Sequence, residues 1–259
     1  MSKKEGKTAV FLKPCDTYSF NQLVKEHRIK RENVYVIAVE CLGKLDIEKI
    51  KAKGISLIEN VEVVDKEVKV TSAYGVDTLA KPEVVLSKCA ACTKTHQVKD
   101  EEIILHETPA RDVDRFEEVK KLEAMTEEER FAFWREQLSK CIRCNACRNV
   151  CPACSCVKCV FDNPNSGIAA KANDDKFEEQ LFHIIRAFHV AGRCTDCGEC
   201  SRVCPQNIPL HLLNRKFIKD IDNLYGEYQA GETDEGKTPL TSYTEGDTEP
   251  NDVFNGEAK

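Results

Sequence analysis

Long apolar runs are missing from this chain: no segment approaches the length of a membrane span, and the first residues, MSKKEGKTAVFLKPC, lack the apolar stretch of a signal peptide. The expectation is a cytoplasmic protein with no direct membrane span. Nucleotide-binding signatures are absent too, since no GxGxxG joins a strand to a helix and no P-loop occurs. Without a serine elbow or paired catalytic carboxylates, hydrolytic and phosphoryl-transfer chemistry has no residues to work with. The six histidines, His27, His96, His106, His183, His189 and His211, show no metal-binding spacing and read as core or surface side chains. An excess of positive charge is also lacking. The formal charge is −6, and the tail from Gln229 to Lys259 carries eight acidic residues against Lys237 and Lys259; setting these aside, 36 of the 44 acidic and 36 of the 38 basic residues remain. Such an even mixture of signs gives nucleic acid no clustered basic surface to bind.

Cysteine is what the chain has in abundance, with fifteen. In a reducing compartment, thiols clustered at short spacing are metal or cluster ligands far more often than disulfides. Cys141, Cys144, Cys147 and Cys151 spell CIRCNACRNVCP, and Cys194, Cys197, Cys200 and Cys204 spell CTDCGECSRVCP. Both fit the run CxxCxxCxxxCP of bacterial ferredoxins. Three thiolates two residues apart let one loop wrap three corners of a cubane, and the fourth cysteine of each run ligates the other cluster. The expected sets are therefore Cys141, Cys144, Cys147 and Cys204 for one 4Fe-4S cluster, and Cys194, Cys197, Cys200 and Cys151 for the other. Proline after the fourth cysteine turns the chain and removes a donor. Paired CxxC motifs also staple zinc, but a complete four-cysteine ferredoxin run present twice has no zinc explanation.

Helices are expected around the motifs. Thr126 and Glu129 form a capping-box pattern, and Phe131, Trp134 and Leu138 make a stripe leading into Cys141. Between the runs, Asp174 to Val190 reads as a helix with Phe177, Leu181, Ile184, Ile185 and Phe188 on one face; after them Leu210, Leu213, Phe217, Ile221 and Leu224 make another stripe. These stripes read as core packing around the clusters. From Thr126 to Tyr228 the chain resembles the α-helical ferredoxin domain of fumarate and succinate oxidoreductases, glycerol-3-phosphate dehydrogenases and heterodisulfide reductase-type complexes. That resemblance implies electron relay through two complete 4Fe-4S cubanes.

Upstream the sequence reads as α/β. Thr8 to Leu12 and Asn33 to Glu40 are β-rich, Ser19 to His27 and Leu45 to Lys53 helical, and Val61 to Val70 alternates as a hairpin around Asp65 and Lys66. Cys15 follows the first strand, Cys41 the second, and Cys89 and Cys92 follow Glu83 to Leu86, read as a further strand. Three strand ends carrying thiols would meet at one edge of a parallel sheet, where open α/β sheets hold ligands. A third 4Fe-4S cluster is expected there, with structural zinc or free buried thiols as the alternative. The combination KPCD, a helix, VIAVECLG and then CxxC resembles the C-terminal part of the β subunits of coenzyme F420-reducing hydrogenases and F420-dependent formate dehydrogenases, some of which append ferredoxin motifs of the CIRCxACRxxCPxCxCxxC kind. The resemblance implies a redox subunit of a complex in anaerobic metabolism, partnered with hydrogenase, formate dehydrogenase, heterodisulfide reductase-like or flavoprotein subunits. Those β subunits carry a longer N-terminal region that helps build flavin and deazaflavin pockets, whereas here only a few residues precede KPCD, so flavin is not the expectation; a flavin- or F420-binding catalytic subunit and a zinc-stapled interaction protein are the alternatives.

Cys154, Cys156 and Cys159 follow the first run as PACSCVKC and read either as ligands that need a fourth partner or as packing around the first cluster. Arg143, Arg148, Lys158, Arg193 and Arg202 flank the motifs, where positive charge raises a cluster's reduction potential. The expected architecture is α+β in two domains: residues 1–115 as a small α/β domain, 116–228 as a mostly helical dicluster ferredoxin domain, and 229–259 as an acidic extended tail, flexible or partner-bound, with Tyr243, Val253 and Phe254 as its anchors.

Overall fold

A computed structural model describes residues 6–93, 97–98, 100–103, 112–163, 165, 176–242 and 245. His96, His106, Tyr243, Val253, Phe254 and the start of the helix expected from Asp174 lie outside the described residues.

The chain opens with strand β1 (Thr8–Leu12) running into helix α1 (Pro14–Lys25), and strand β2 (Val34–Ala38) pairs in parallel with β1. Helix α1 begins five residues before the expected Ser19, because Pro14 occupies its first turn, where the missing N–H costs nothing. Cys15 therefore sits in that turn and not in a loop. Helix α2 (Ile47–Ala52) is capped by Asp46, whose carboxylate accepts from the Glu48 and Lys49 amides.

The expected hairpin forms from strands β3 (Ile58–Val64) and β4 (Glu67–Ser72), and strand β5 (Gly75–Ala80) extends it into a separate antiparallel sheet. Val68 and Val70 alternate inward on β4 and close with Ile50, Ile55 and Val84 into one apolar core. Glu83 to Leu86 is not a strand of the parallel sheet. Pro82 favours a helical start, so helix α3 (Lys81–Val84) forms there, Val85 makes only an isolated bridge to Leu45, and helix α4 (Ser87–Ala90) follows. The third parallel strand is instead β6 (Glu102–Ile103), beside β2, giving the order β1-β2-β6.

From here the structure is helical: α5 (Glu117–Glu123), α6 (Glu127–Leu138), α7 (Ala146–Asn149), α8 (Lys176–Val190), α9 (Glu199–Arg202) and α10 (Leu210–Tyr225). The capping box of α6 is present in both directions, Glu129 N–H to Thr126 Oγ1 and Thr126 N–H to the Glu129 carboxylate. Leu138, Phe182, Ile208 and Leu210 make a small core that also holds Cys147 and Cys200. The architecture is thus α+β, an α/β part followed by a helical one. No helix among the described residues is long and apolar enough to cross a membrane.

The interior face of α8 is not the one its hydrophobic spacing selects. Phe177, Ile184 and Phe188 are exposed, while Glu179, Phe182, His183, Arg186, Ala187 and Val190 are buried. The buried face carries Glu179, His183 and Arg186 among Phe182, Ala187 and Val190. Beyond α10 the chain returns to α1: a side chain at Gly231 (φ 77) would collide with the Tyr18 carbonyl, and Ala230 is buried beside it.

Candidate metal centres

Each ferredoxin run folds into the same small nest. Arg143 and Asn145 are left-handed (φ 53 and 60), and so are Asp196 and Gly198 at the matching places in the second run (φ 57 and 65). A left-handed residue after every second backbone step turns successive N–H groups toward one concave side, which suits an anionic guest. The Arg143 amide accordingly lies 3.4 Å from Cys141 Sγ. One-turn helices α7 and α9 then carry the third cysteine inward and deliver the chain to the fourth.

Two cavities result. One is lined by Cys141, Cys144, Cys147 and Cys204 with His183, and the other by Cys151, Cys194, Cys197 and Cys200 with His211 and Asn214. In each, the fourth cysteine comes from the opposite run.

Burial pushes Cys141 and Cys200 up to about 12 and Cys194 well above its ordinary value, while a bond from Cys154 lowers Cys151 to about 6. Thiols so shielded are poor free nucleophiles, and a bound cation is what would displace their protons.

Polar groups close the cavities. His183 is 2% exposed, and neither ring nitrogen has a hydrogen-bond partner among the described residues. Burial, reinforced by the Arg186 and Arg143 charges, drops its pKa to about 3, so the ring is neutral and offers one N–H donor. An unmet donor costs about 1–3 kcal/mol, which identifies a missing acceptor on the cavity side. The Asn214 amide lies 3.8 Å from Cys200 Sγ, Arg215 bonds Asp196 at 2.7 Å, and Arg186 donates to the Cys147 carbonyl at 3.1 Å. Sulfur-rich anionic clusters fit these donors, of which the His183 ring and Arg186 Nε have no other partner among the described residues.

A single zinc ion would draw its donors to about 3.8 Å from one another, given Zn–S of about 2.3 Å. Among the described residues the one trio of candidate donors within 4.8 Å is Cys141, Glu179 and His183, a mixed set on the edge of the first cavity. No trio of cysteine thiols is that tight. The spacing suits a bulkier group.

The N-terminal cysteines are only partly drawn together. Cys15 follows β1 and Cys41 follows β2 on the same edge of the sheet, because the strands are parallel. Burial raises Cys15 to about 12, and its surroundings include Lys13, Asp16, Lys88 and Cys92. Cys89 is buried on α4 and Cys92 lies just beyond it. Lys88, between Cys15 and the second run, donates to the Cys197 carbonyl at 3.1 Å and pairs with Glu199. Its stem passes so close to Gly198 that a Cβ there would lie 2.5 Å from Lys88 Cβ. Ser19 meets Thr195 at 3.0 Å, and Arg193 binds Glu26 at 2.8 Å. Cys15, Cys89 and Cys92 therefore lie, through Lys88, on the side of the second run and not of the first, while Cys41 stands apart at the end of β2. Sequence reasoning missed Lys88; its place directly before the CxxC was the only signal available.

Cys154, Cys156 and Cys159 line a third, larger cavity between the first run and α8.

A 4Fe-4S dicluster domain model matches residues 137–208, which spans both runs. The F420-dependent formate dehydrogenase subunit β of Methanocaldococcus jannaschii is 24% identical over 85% of this chain and 73% of its own length. The F420-dependent formate dehydrogenase 1 subunit β of Methanococcus maripaludis is 28% identical over 92% of this chain and 76% of its own. A Sinorhizobium fredii protein named as a ferredoxin, ferredoxin-3, is 36% identical over 30% of this chain and 75% of its length.

Proposed function

We propose, for a homologue of F420-dependent formate dehydrogenase β subunits whose ferredoxin part belongs with the 4Fe-4S dicluster domains, the role of an electron relay between subunits of a formate dehydrogenase, hydrogenase or heterodisulfide reductase-like complex in anaerobic metabolism. The carrying observation is the pair of cavities, each lined by three cysteines of one run and the fourth of the other. Cys141, Cys144, Cys147 and Cys204 would hold one cluster, and Cys194, Cys197, Cys200 and Cys151 the other. Cys15, Cys41, Cys89 and Cys92 would hold a third, bordering the second. Bound 4Fe-4S clusters supply one-electron chemistry.

The protein's own groups set the conditions. The left-handed nests aim N–H groups at the sulfurs, and His183 and Asn214 add donors from the helices. Arg143 and Arg186 balance negative charge. Donors to sulfur and nearby cations both raise a cluster's potential, while burial excludes water. The contact of Lys88 with Cys197 and Gly198 supports a relay in which the second site lies between the N-terminal set and the first. Cytoplasmic location and partner subunits belong to the same reading.

Anaerobically prepared protein should hold at least about eight to twelve irons, for two or three such clusters, with little zinc. Cys204→Ser should remove the paramagnetic signal of the cluster in the first run while sparing the second; loss confined to the second would overturn the crossed assignment. The relatives' names favour a second reading, a β subunit that itself binds F420 or flavin. Flavin released on denaturation would support it, and a colourless supernatant would not.

A further inference from the structure

Cys154, Cys156 and Cys159 belong to neither ferredoxin set, yet the fold gathers them on one cavity with Arg148, Arg193 and His189. Every thiol has a guanidinium beside it. Arg148 hydrogen-bonds Cys159, Arg193 lies near Cys154 and Cys156, and Arg186 lies near Cys154. Arg186 is 3% exposed and its Nε has no partner among the described residues. A buried guanidinium is costly unless an anion faces it. Thiolates are one source of that charge, those of Cys200, Cys151 and Cys147 ahead of Cys154; a thiolate is also the form that binds metal, and a neighbouring cation favours it.

The location is equally specific. Cys154 and Cys151 are hydrogen-bonded, and Cys151 lines the second cavity. In the matching place after the second run stands Asn207, a left-handed turn residue, so the thiol at 154 is an addition to the repeat and not part of it.

We propose that Cys154, Cys156 and Cys159 hold an additional 4Fe-4S centre beside the second ferredoxin cavity, with His189 of α8 as the ligand to its fourth iron. The inference rests on the iron–sulfur reading given above. A lone zinc is the poorer guest, because these three thiols are not among the donors found within 4.8 Å of one another, closer to the spacing that tetrahedral zinc imposes. Contact through Cys154 and Cys151 connects the centre to the relay. Cys156 and His189 are exposed, as Cys144 is at the first cavity, whereas none of the four cysteines at the second is. The additional centre is thus open to a partner subunit on its own side of the second cavity, which makes it a port through which electrons enter or leave.

The test is iron, zinc and acid-labile sulfide analysis with low-temperature paramagnetic resonance on the full chain, prepared anaerobically as wild type and as Cys154→Ala/Cys156→Ala/Cys159→Ala. The triple variant should lose about four irons and four sulfides and one signal, with the remaining signals unchanged. Because three changes beside Cys151 could disturb the fold, Cys156→Ser, at an exposed site, is measured alongside and should lose the same signal. His189→Cys should keep the iron and alter that signal alone. Unchanged iron in the triple variant and in Cys156→Ser, or loss of zinc in place of iron, overturns the proposal while leaving the relay intact. Wild-type protein with no iron at all would instead remove the relay reading itself.

Discussion

In the core under the β3-β4-β5 sheet the positions most shielded from water are Ile50, Val68, Val70 and Val84, all hydrocarbon, while α1 beside the other sheet also shields Thr17, Asn21 and Gln22. In the helical part the shielded positions of α8 and α10 include Glu179, His183, Arg186, Asn214 and Arg215, each at most 5% exposed. Both regions are folded around an interior, but they pay for it differently. The first gains about 1.5–3 kcal/mol for each large aliphatic side chain removed from water. The second buries charge and unmet donors, which stabilise a fold only when something in the cavities answers them. A polar interior is thus the imprint of a guest, and the hydrocarbon interior needs none.

Iron withdrawal should separate the two regions most. Chelation under anaerobic, reducing conditions is expected to strip amide protection from α8 and α10 while the β3-β4-β5 sheet remains protected in hydrogen exchange. Full protection of both helices in iron-free protein would break the comparison.

Side-chain substitutions should sharpen it. Arg215→Met leaves Asp196 buried and unpaired and should cost about 3–5 kcal/mol, whereas Ile50→Val should cost only about 0.5–1.5 kcal/mol. Denaturant midpoints of the holo-protein decide between these, and equal costs would count against the distinction.

The seam between the regions should show the smallest effect. Burial works against the Glu26 carboxylate, but bonds from Arg193, Gln22 and Ser155 hold its pKa below the ordinary glutamate value. A depressed pKa stabilises the fold above about pH 4.3 and ceases to do so as pH falls through the lower folded value. Glu26→Gln should therefore lower the melting temperature at neutral pH by the equivalent of at most about 1 kcal/mol, with the gap closing on acidification. A gap that widens in acid would show the pair to be unimportant.

Much of this was legible in the sequence wherever a local rule governs. The cysteine spacing, the Thr126 capping box, the strands at Thr8 and Val34 and the turn at Asp65 depend on a few neighbouring residues. Glu83 to Leu86 misled because three β-compatible residues followed a proline whose preference for a helical first turn prevailed. The buried face of α8 was illegible for a deeper reason. Apolar spacing locates an interior made of hydrocarbon, and here Phe177, Ile184 and Phe188 point outward because the interior face mixes Glu179, His183 and Arg186 with Phe182, Ala187 and Val190. Nor could spacing reveal that Arg143, Asn145 and Asp196 adopt a left-handed backbone, which side chains other than glycine's seldom take. The seam through Lys88 and Glu26 joins residues more than a hundred positions apart and left no local trace.

Arg186 stands within electrostatic reach of Cys147 from the first cavity, Cys151 and Cys200 from the second, and Cys154 from the third. With the clusters proposed above, three neighbouring redox sites would lean on one fixed cation. Each electron that arrives weakens the pull available to the next, so sites of similar build should titrate at separated midpoints and fill in succession. A single guanidinium would in this way turn a cluster array into a queue.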